Sequence, residues 1–198
     1  MIKLISMLTL SALVAVSGCS NKPIPENLAV DERRIGGLDL NSLTQSEQYA
    51  MSVGHIKASP ETVFKKIADH QNLRDWVPMI DHEVEVDHSA SIVPGESNVG
   101  TKRICLFGGD RLVEDIRYWK EGKGYAYSAR DSDDLPVTNH LGVIWIESDN
   151  EGGSYLIWRQ FFEKKSWSLK AQIMPFIMDY VMNGAMQNLV DEWGGEVL

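Results

Sequence analysis

The sequence predicts an α+β fold in which a curved antiparallel sheet of seven strands is covered on one face by a long C-terminal helix. Three observations carry this. Strand-like runs between residues 80 and 163 are divided by Gly95, Gly108-Gly109, Gly122, Pro136 and Gly152-Gly153, a spacing typical of an antiparallel meander. Phe107-Gly108-Gly109-Asp110 suits a two-residue hairpin turn. The chain then ends in one long apolar stretch at helical spacing, closed by Gly194-Gly195. A curved sheet must cover one face, and a long helix can lie across it.

The elements follow in order. Residues 20–45 read as a tether and an irregular lead-in, because Pro23 and Pro25 leave no apolar period and Gly36-Gly37 breaks the next stretch. The domain proper is placed at 46–198, and residues 49–56 form its first strand. Ser59-Pro60-Glu61 supplies an N-cap, a first-turn proline and a first-turn acid for a short helix through Val63, Phe64 and Ile67. His70-Gln71-Asn72 breaks it. A second short helix, 73–77, stops at Pro78. Six strands come next, at about 80–88, 98–107, 110–119, 123–131, 139–148 and 154–163. The terminal helix covers about 174–193, with Pro175 either in its first turn or kinking an earlier start.

The hairpin turn pairs 107 with 110, 105 with 112, 103 with 114 and 101 with 116. Cross-strand partners share a face. One face carries Thr101, Arg103, Cys105, Phe107, Leu112, Glu114, Ile116 and Tyr118. The other carries Lys102, Arg111, Val113, Asp115, Arg117 and Trp119, with Ile104 and Leu106, and is the wetter one. Arg103 therefore faces Glu114 in the middle of an apolar surface. Such a pair is costly to desolvate unless well hydrogen-bonded. It is either a polar handle for a ligand head group or a structural pin for the register.

On the terminal helix, Met174, Met178, Met182 and Met186 recur every fourth residue, flanked by Phe176, Ile177, Tyr180 and Gly184. Methionine is flexible and polarizable, and suits surfaces that must fit varied apolar partners. The helix is either an adaptable wall over a cavity or a Met-rich core helix.

The first nineteen residues have the layout of an export signal: Lys3, an apolar run from Leu4 to Val16, then small residues up to Cys19. The run of about 13 residues is too short to span roughly 30 Å of hydrocarbon. Val16-Ser17-Gly18-Cys19 resembles the lipobox of bacterial lipoproteins. The resemblance implies removal of 1–18, acylation of Cys19 and a periplasm-facing anchor. Ser20, in place of an aspartate, favours the outer membrane.

The formal net charge of −9 in 198 residues excludes an electrostatic nucleic-acid binder and argues against adsorption to anionic lipids. Any tethering then falls to the acyl chains. With Cys19 acylated, Cys105 has no disulfide partner, and it reads as a small buried hydrophobe rather than a reactive thiol. The five histidines make no zinc motif, and no nucleophile elbow, phosphate loop or dinucleotide fingerprint is present. His140 would be a general base only if it faced a cavity. Asp131-Ser132-Asp133-Asp134 reads as a solvated acidic loop, without the spacing of an EF-hand.

From residue 56 to the terminal helix the chain resembles the START-like superfamily of polyketide cyclases, lipid-transfer domains and Bet v 1-type proteins. The resemblance rests on Ser59-Pro60-Glu61-Thr62-Val63-Phe64, Trp76-Val77-Pro78, Val99-Gly100-Thr101-Lys102-Arg103, Glu114-Asp115-Ile116, Tyr125-Ala126-Tyr127-Ser128 and Tyr155-Leu156-Ile157-Trp158. It covers about residues 47–193 and is nearest the polyketide cyclase/dehydrase-like branch. It implies a helix-grip fold with an apolar cavity between sheet and helix.

The expected activity is binding of an apolar or amphipathic small molecule, lipid-like in character. Arg103 and Glu114 would address its polar end, and Trp158, Phe162, Phe176, Tyr180 and Gly184 would supply the wall. No cofactor or metal is implied, and no protein partner is identified. Two other classes stay open: an enzyme of cyclase or hydrolase type using Glu114 or His140 as acid/base, and an interaction protein with a filled core that works through Trp76 and Trp119.

Overall fold

Turn and cap residues set the frame of the fold. The structure, a computed structural model, describes residues 23–26, 28, 33–131 and 135–198. The signal segment with Cys19, and Ser132-Asp133-Asp134 of the acidic loop, lie outside the described residues. Gly36-Gly37, both at positive φ, turn β1 (Arg34–Ile35) back on β2 (Leu38–Asp39). A Cβ on Gly36 would overlap the Trp145 ring, so the lead-in can lie flat on the sheet only with glycine there. Ile35 and Leu40 are fully buried in this contact. The folded body therefore begins before residue 46.

β3 (Gln48–Ile56) leads to α1 (Pro60–Ala68), whose N-cap Ser59 accepts from the Thr62 amide. Val63, Phe64 and Ile67 turn inward, as their spacing predicts. The second short helix is a 3₁₀ turn, His70–Asp75, which starts earlier than expected and directly follows α1. The strands β4 (Glu85–Asp87), β5 (Lys102–Phe107), β6 (Asp110–Lys120), β7 (Gly124–Ala129), β8 (Val137–Ser148) and β9 (Ser154–Lys164) form the meander. α2 (Leu169–Trp193) follows, and β10 (Gly195–Val197) closes the chain.

The sheet is antiparallel throughout, in the order β10-β3-β9-β8-β7-β6-β5-β4. It has eight strands, not seven. The extra one is β10, three residues that cap the free edge of β3 as soon as Gly194 ends the helix. The long run expected at 80–88 shortens to β4, and the expected strand at 98–107 starts only at Lys102.

The β5–β6 register matches the hairpin reading, with Arg103 opposite Glu114 and Cys105 opposite Leu112. The alternation of faces along β6 breaks at Arg117, where a bulge shifts the β6–β7 pairing between Ile116 and Tyr118. One extra residue exchanges the faces of everything beyond it. Tyr118 thus lies on the outer face near Trp145, and Trp119 turns inward against Phe64, His70 and Tyr125. Both positions are the reverse of the sequence expectation.

α2 starts at Leu169 because Ser168 caps it, accepting from the Ala171 amide. Pro175 therefore lies inside the helix, the second of its two expected placements. The methionine column splits in two. Met182 and Met186 are core residues, with Met186 seated on Gly54, whereas Met174 and Met178 border a cavity.

Candidate functional site

The concave face of the sheet and the first half of α2 enclose a cavity of about 260 Å³. Its walls are mostly apolar: Leu73 and Val77 below, Cys105, Leu112 and Ile144 from the sheet, and Met174, Ile177 and Val181 from the helix. At the mouth, the Lys170 ammonium of the first helical turn meets Asp110 of the β5–β6 turn at 3.0 Å. Met79 stands beside this rim at φ 66°, a backbone state strained for a non-glycine residue.

The far wall is polar and tightly wired. Arg103 and Glu114 are both buried and lie 2.5 Å apart, Nε to Oε2. The guanidinium carbon sits 4.1 Å from the Tyr127 ring centroid and 5.6 Å from that of Tyr125. Arg103 also donates to the Tyr125 hydroxyl at 3.4 Å, and that hydroxyl donates to the Ile67 carbonyl at the end of α1. Burial is the largest influence and works against the Arg103 charge, but the Glu114 carboxylate, with Tyr125, Tyr127 and Cys105 adding to it, outweighs burial and holds the guanidinium above its ordinary pKa. Burial pushes the Cys105 thiol up to about 12, with Glu114 adding to the effect, so this cysteine is a packing residue.

A second set of hydrogen bonds runs beside the pair. The Ala129 amide donates to His140 Nδ1 at 2.9 Å, and His140 Nε2 lies 2.6 Å from Gln160 Oε1. Gln160 Nε2 and Trp158 Nε1 both donate to the Tyr127 hydroxyl, at 2.9 and 3.0 Å. Burial lowers the His140 pKa and raises that of Tyr127, so the imidazole stays neutral and the phenol protonated. With Nδ1 accepting and Nε2 donating, His140 has no lone pair free for a substrate. This counts against its role as a general base.

Arg103, Glu114, Trp158 and His140 all border the cavity. Phe162 does not. It is buried at the foot of α2 against Val137 and Met174, stacked on Tyr49. Phe176 and Tyr180 are 73 % and 68 % exposed on the outer face of α2, because the helix meets the sheet through its methionine side. Gly184 faces Pro78 rather than the cavity, and a Cβ there would come within 2.9 Å of the proline ring. Trp76 is 1 % exposed and part of the cavity wall, so it offers no outer surface to a partner.

Sequence reasoning missed Tyr127, Gln160 and Gly142. The alternation of Tyr125 and Tyr127 along one strand face was a usable signal for the first. Gly142 is paired with Tyr127 across the sheet, and a Cβ on it would strike the Tyr127 ring at 2.2 Å. The tyrosine can lie over β8 only because that side chain is missing. Among the described residues, no group of three His, Cys, Asp or Glu side chains is placed to hold a metal ion. No helix among them is long and apolar enough to cross a membrane.

Comparisons with known proteins agree with this fold. XoxI from Bacillus cereus is similar in structure over 73 % of this chain and 94 % of its own, with a TM-score of 0.60 and 20 % identity. A protein from Thermobifida fusca matches over 71 % of this chain and 92 % of its own, with a TM-score of 0.54 and 19 % identity. Ara h 8.0201 matches over 72 % of this chain and 97 % of its own, with a TM-score of 0.51 and 15 % identity. At these identities the likeness is one of fold, a helix-grip sheet wrapped on a C-terminal helix. No curated protein matches significantly. The family profile described as "Polyketide cyclase / dehydrase and lipid transport" matches residues 49–193, which include nearly all of the sheet and α2. The chain belongs to the polyketide cyclase/dehydrase and lipid transport family.

Proposed function

We propose that this protein is an envelope-tethered binding module that holds an apolar or amphipathic small molecule in the cavity between sheet and α2. The single observation that carries the proposal is the cavity itself: open space of about 260 Å³ in an apolar wall, with a wired polar end at Arg103 and Glu114. Ligand pockets combine an apolar lining with a few placed polar groups in this way. A core filled by its own side chains would leave no such space.

Acylation at Cys19, a periplasm-facing position and an outer-membrane address complete the proposal, on the strength of Val16-Ser17-Gly18-Cys19 and Ser20. Two acyl chains suffice for stable anchoring where one does not. Leu169, Phe176 and Tyr180 are exposed on the same helical turns whose inner side borders the cavity, which favours loading from an apolar phase.

The test is native mass spectrometry with lipid extraction on the Cys19→Ser mature chain, expressed to the periplasm. A discrete co-purified mass supports the module and names its ligand class. Bare protein, still bare after incubation with a membrane extract, overturns it. In parallel, the wild-type chain should partition with membranes and the Cys19→Ser chain should not.

A further inference from the structure

The cavity's polar end has a direction. We infer that it is built to donate hydrogen bonds to an uncharged oxygen, such as a ketone, ester or ether, carried by an otherwise apolar ligand. The inference rests on the ligand-binding proposal and names the chemistry of that same site.

The direction starts from a backbone amide, which can only donate. The Ala129 N–H points at His140 Nδ1, so that nitrogen holds a lone pair and the neutral ring carries its proton on Nε2. Nε2 then donates to Gln160 Oε1, which fixes the orientation of that amide. Gln160 Nε2 must therefore donate to the Tyr127 oxygen. Trp158 Nε1, a donor with no acceptor capacity, donates to the same oxygen. The tyrosine oxygen accepts twice, and its own hydrogen has no acceptor among the described residues.

Tyr127 cannot turn away to find one. Its ring is held between the bare Cα of Gly142 and the Arg103 guanidinium. A second donor stands in the same wall. Trp76 Nε1 is buried and has no hydrogen-bond partner on the protein. A buried donor left unpaired costs about 1–3 kcal/mol. A ligand oxygen recovers that cost, whereas a plain hydrocarbon does not.

Charge narrows the class further. Arg103 and Glu114 neutralise each other at 2.5 Å. A ligand carboxylate would add a second negative charge beside Glu114, and a ligand ammonium would add a positive one beside Arg103. Both are penalised in a buried site. An uncharged oxygen meets two donors and disturbs neither partner.

The test uses n-octane, 2-octanone and octanoate as competitors of the neutral dye N-phenyl-1-naphthylamine, bound to the Cys19→Ser chain at pH 7.5. 2-Octanone should compete best. The Tyr127→Phe variant should weaken 2-octanone about tenfold, the value of one hydrogen bond, and leave octane unchanged. Trp76→Phe gives a second, independent readout with the same expected sign. The wild-type ranking decides the question even where a variant fails to fold. Octanoate binding as tightly as the ketone, or a ketone preference that survives both variants, overturns the inference alone. A dye that does not bind, with no uptake of any of the three compounds, overturns the ligand-binding proposal and the inference with it.

Discussion

At the scale of single residues, Arg103 and Glu114 bring two opposite charges into the interior. Each is buried, and each is tolerable only because the other is there. Arg103→Met and Glu114→Leu should each destabilise the protein by about 3–5 kcal/mol, since each strands a buried charged partner. The double variant Arg103→Met/Glu114→Leu should recover most of the loss. Urea denaturation of the four proteins checks this as a double-mutant cycle, and additive single losses would refute the coupling. The pair was legible in the sequence, because a two-residue turn fixes the register on both sides of it. Tyr127 and Gln160 were not. They come from different strands and meet only when β7, β8 and β9 are assembled.

At the scale of elements, the decisive contacts are places where side chains are missing or one residue too many is present. Gly184 lets α2 approach Pro78 closely. Gly184→Ala gains about 1 kcal/mol in helix propensity, but it forces a methyl group against a rigid ring, and overpacking of this kind costs about 1–3 kcal/mol. The expected net effect is a destabilisation of about 1 kcal/mol, read as a lower thermal midpoint. A stabilised variant would show that the helix shifts freely. The bulge at Arg117 illustrates why element faces are harder to read than element spans. Strand alternation extends a face indefinitely, whereas a bulge becomes visible only when the partner strand is counted residue by residue. The start of α2 was legible in principle from Ser168, which has the chemistry of an N-cap, but Pro175 offered a competing start seven residues later.

At the scale of the whole molecule, two buried histidines make stability depend on pH. His70 has neither ring nitrogen hydrogen-bonded and packs against Trp119 and Tyr125. Burial, followed by Arg103 and His88, holds its pKa well below the ordinary value. His140 is lowered as well, chiefly by burial. The unfolded chain takes up protons on these rings near pH 6.5 and the folded chain resists them. The unfolded state therefore binds more protons below that pH. Stability is complete above it and falls as the pH drops, by up to about 1.4 kcal/mol per pH unit for each ring. Urea denaturation between pH 7.5 and 5 should show this slope, and His70→Phe should remove part of it. A flat profile would mean that the rings are protonated in the folded state.

The sequence by itself determined the order and type of the main elements from β3 to α2, the hairpin register, the Arg103–Glu114 pair and the family. These depend on turn chemistry, capping and periodicity, all of which act over a few residues. Only the tertiary structure decided which side of α2 meets the sheet. It left Phe176 and Tyr180 outside, and it buried Ile35 and Leu40 of the lead-in. It also joined Ala129, His140, Gln160 and Tyr127 into one directed chain of hydrogen bonds. Those outcomes depend on close packing between segments far apart in the chain, where one missing Cβ at Gly142 or one inserted residue at Arg117 sets the result.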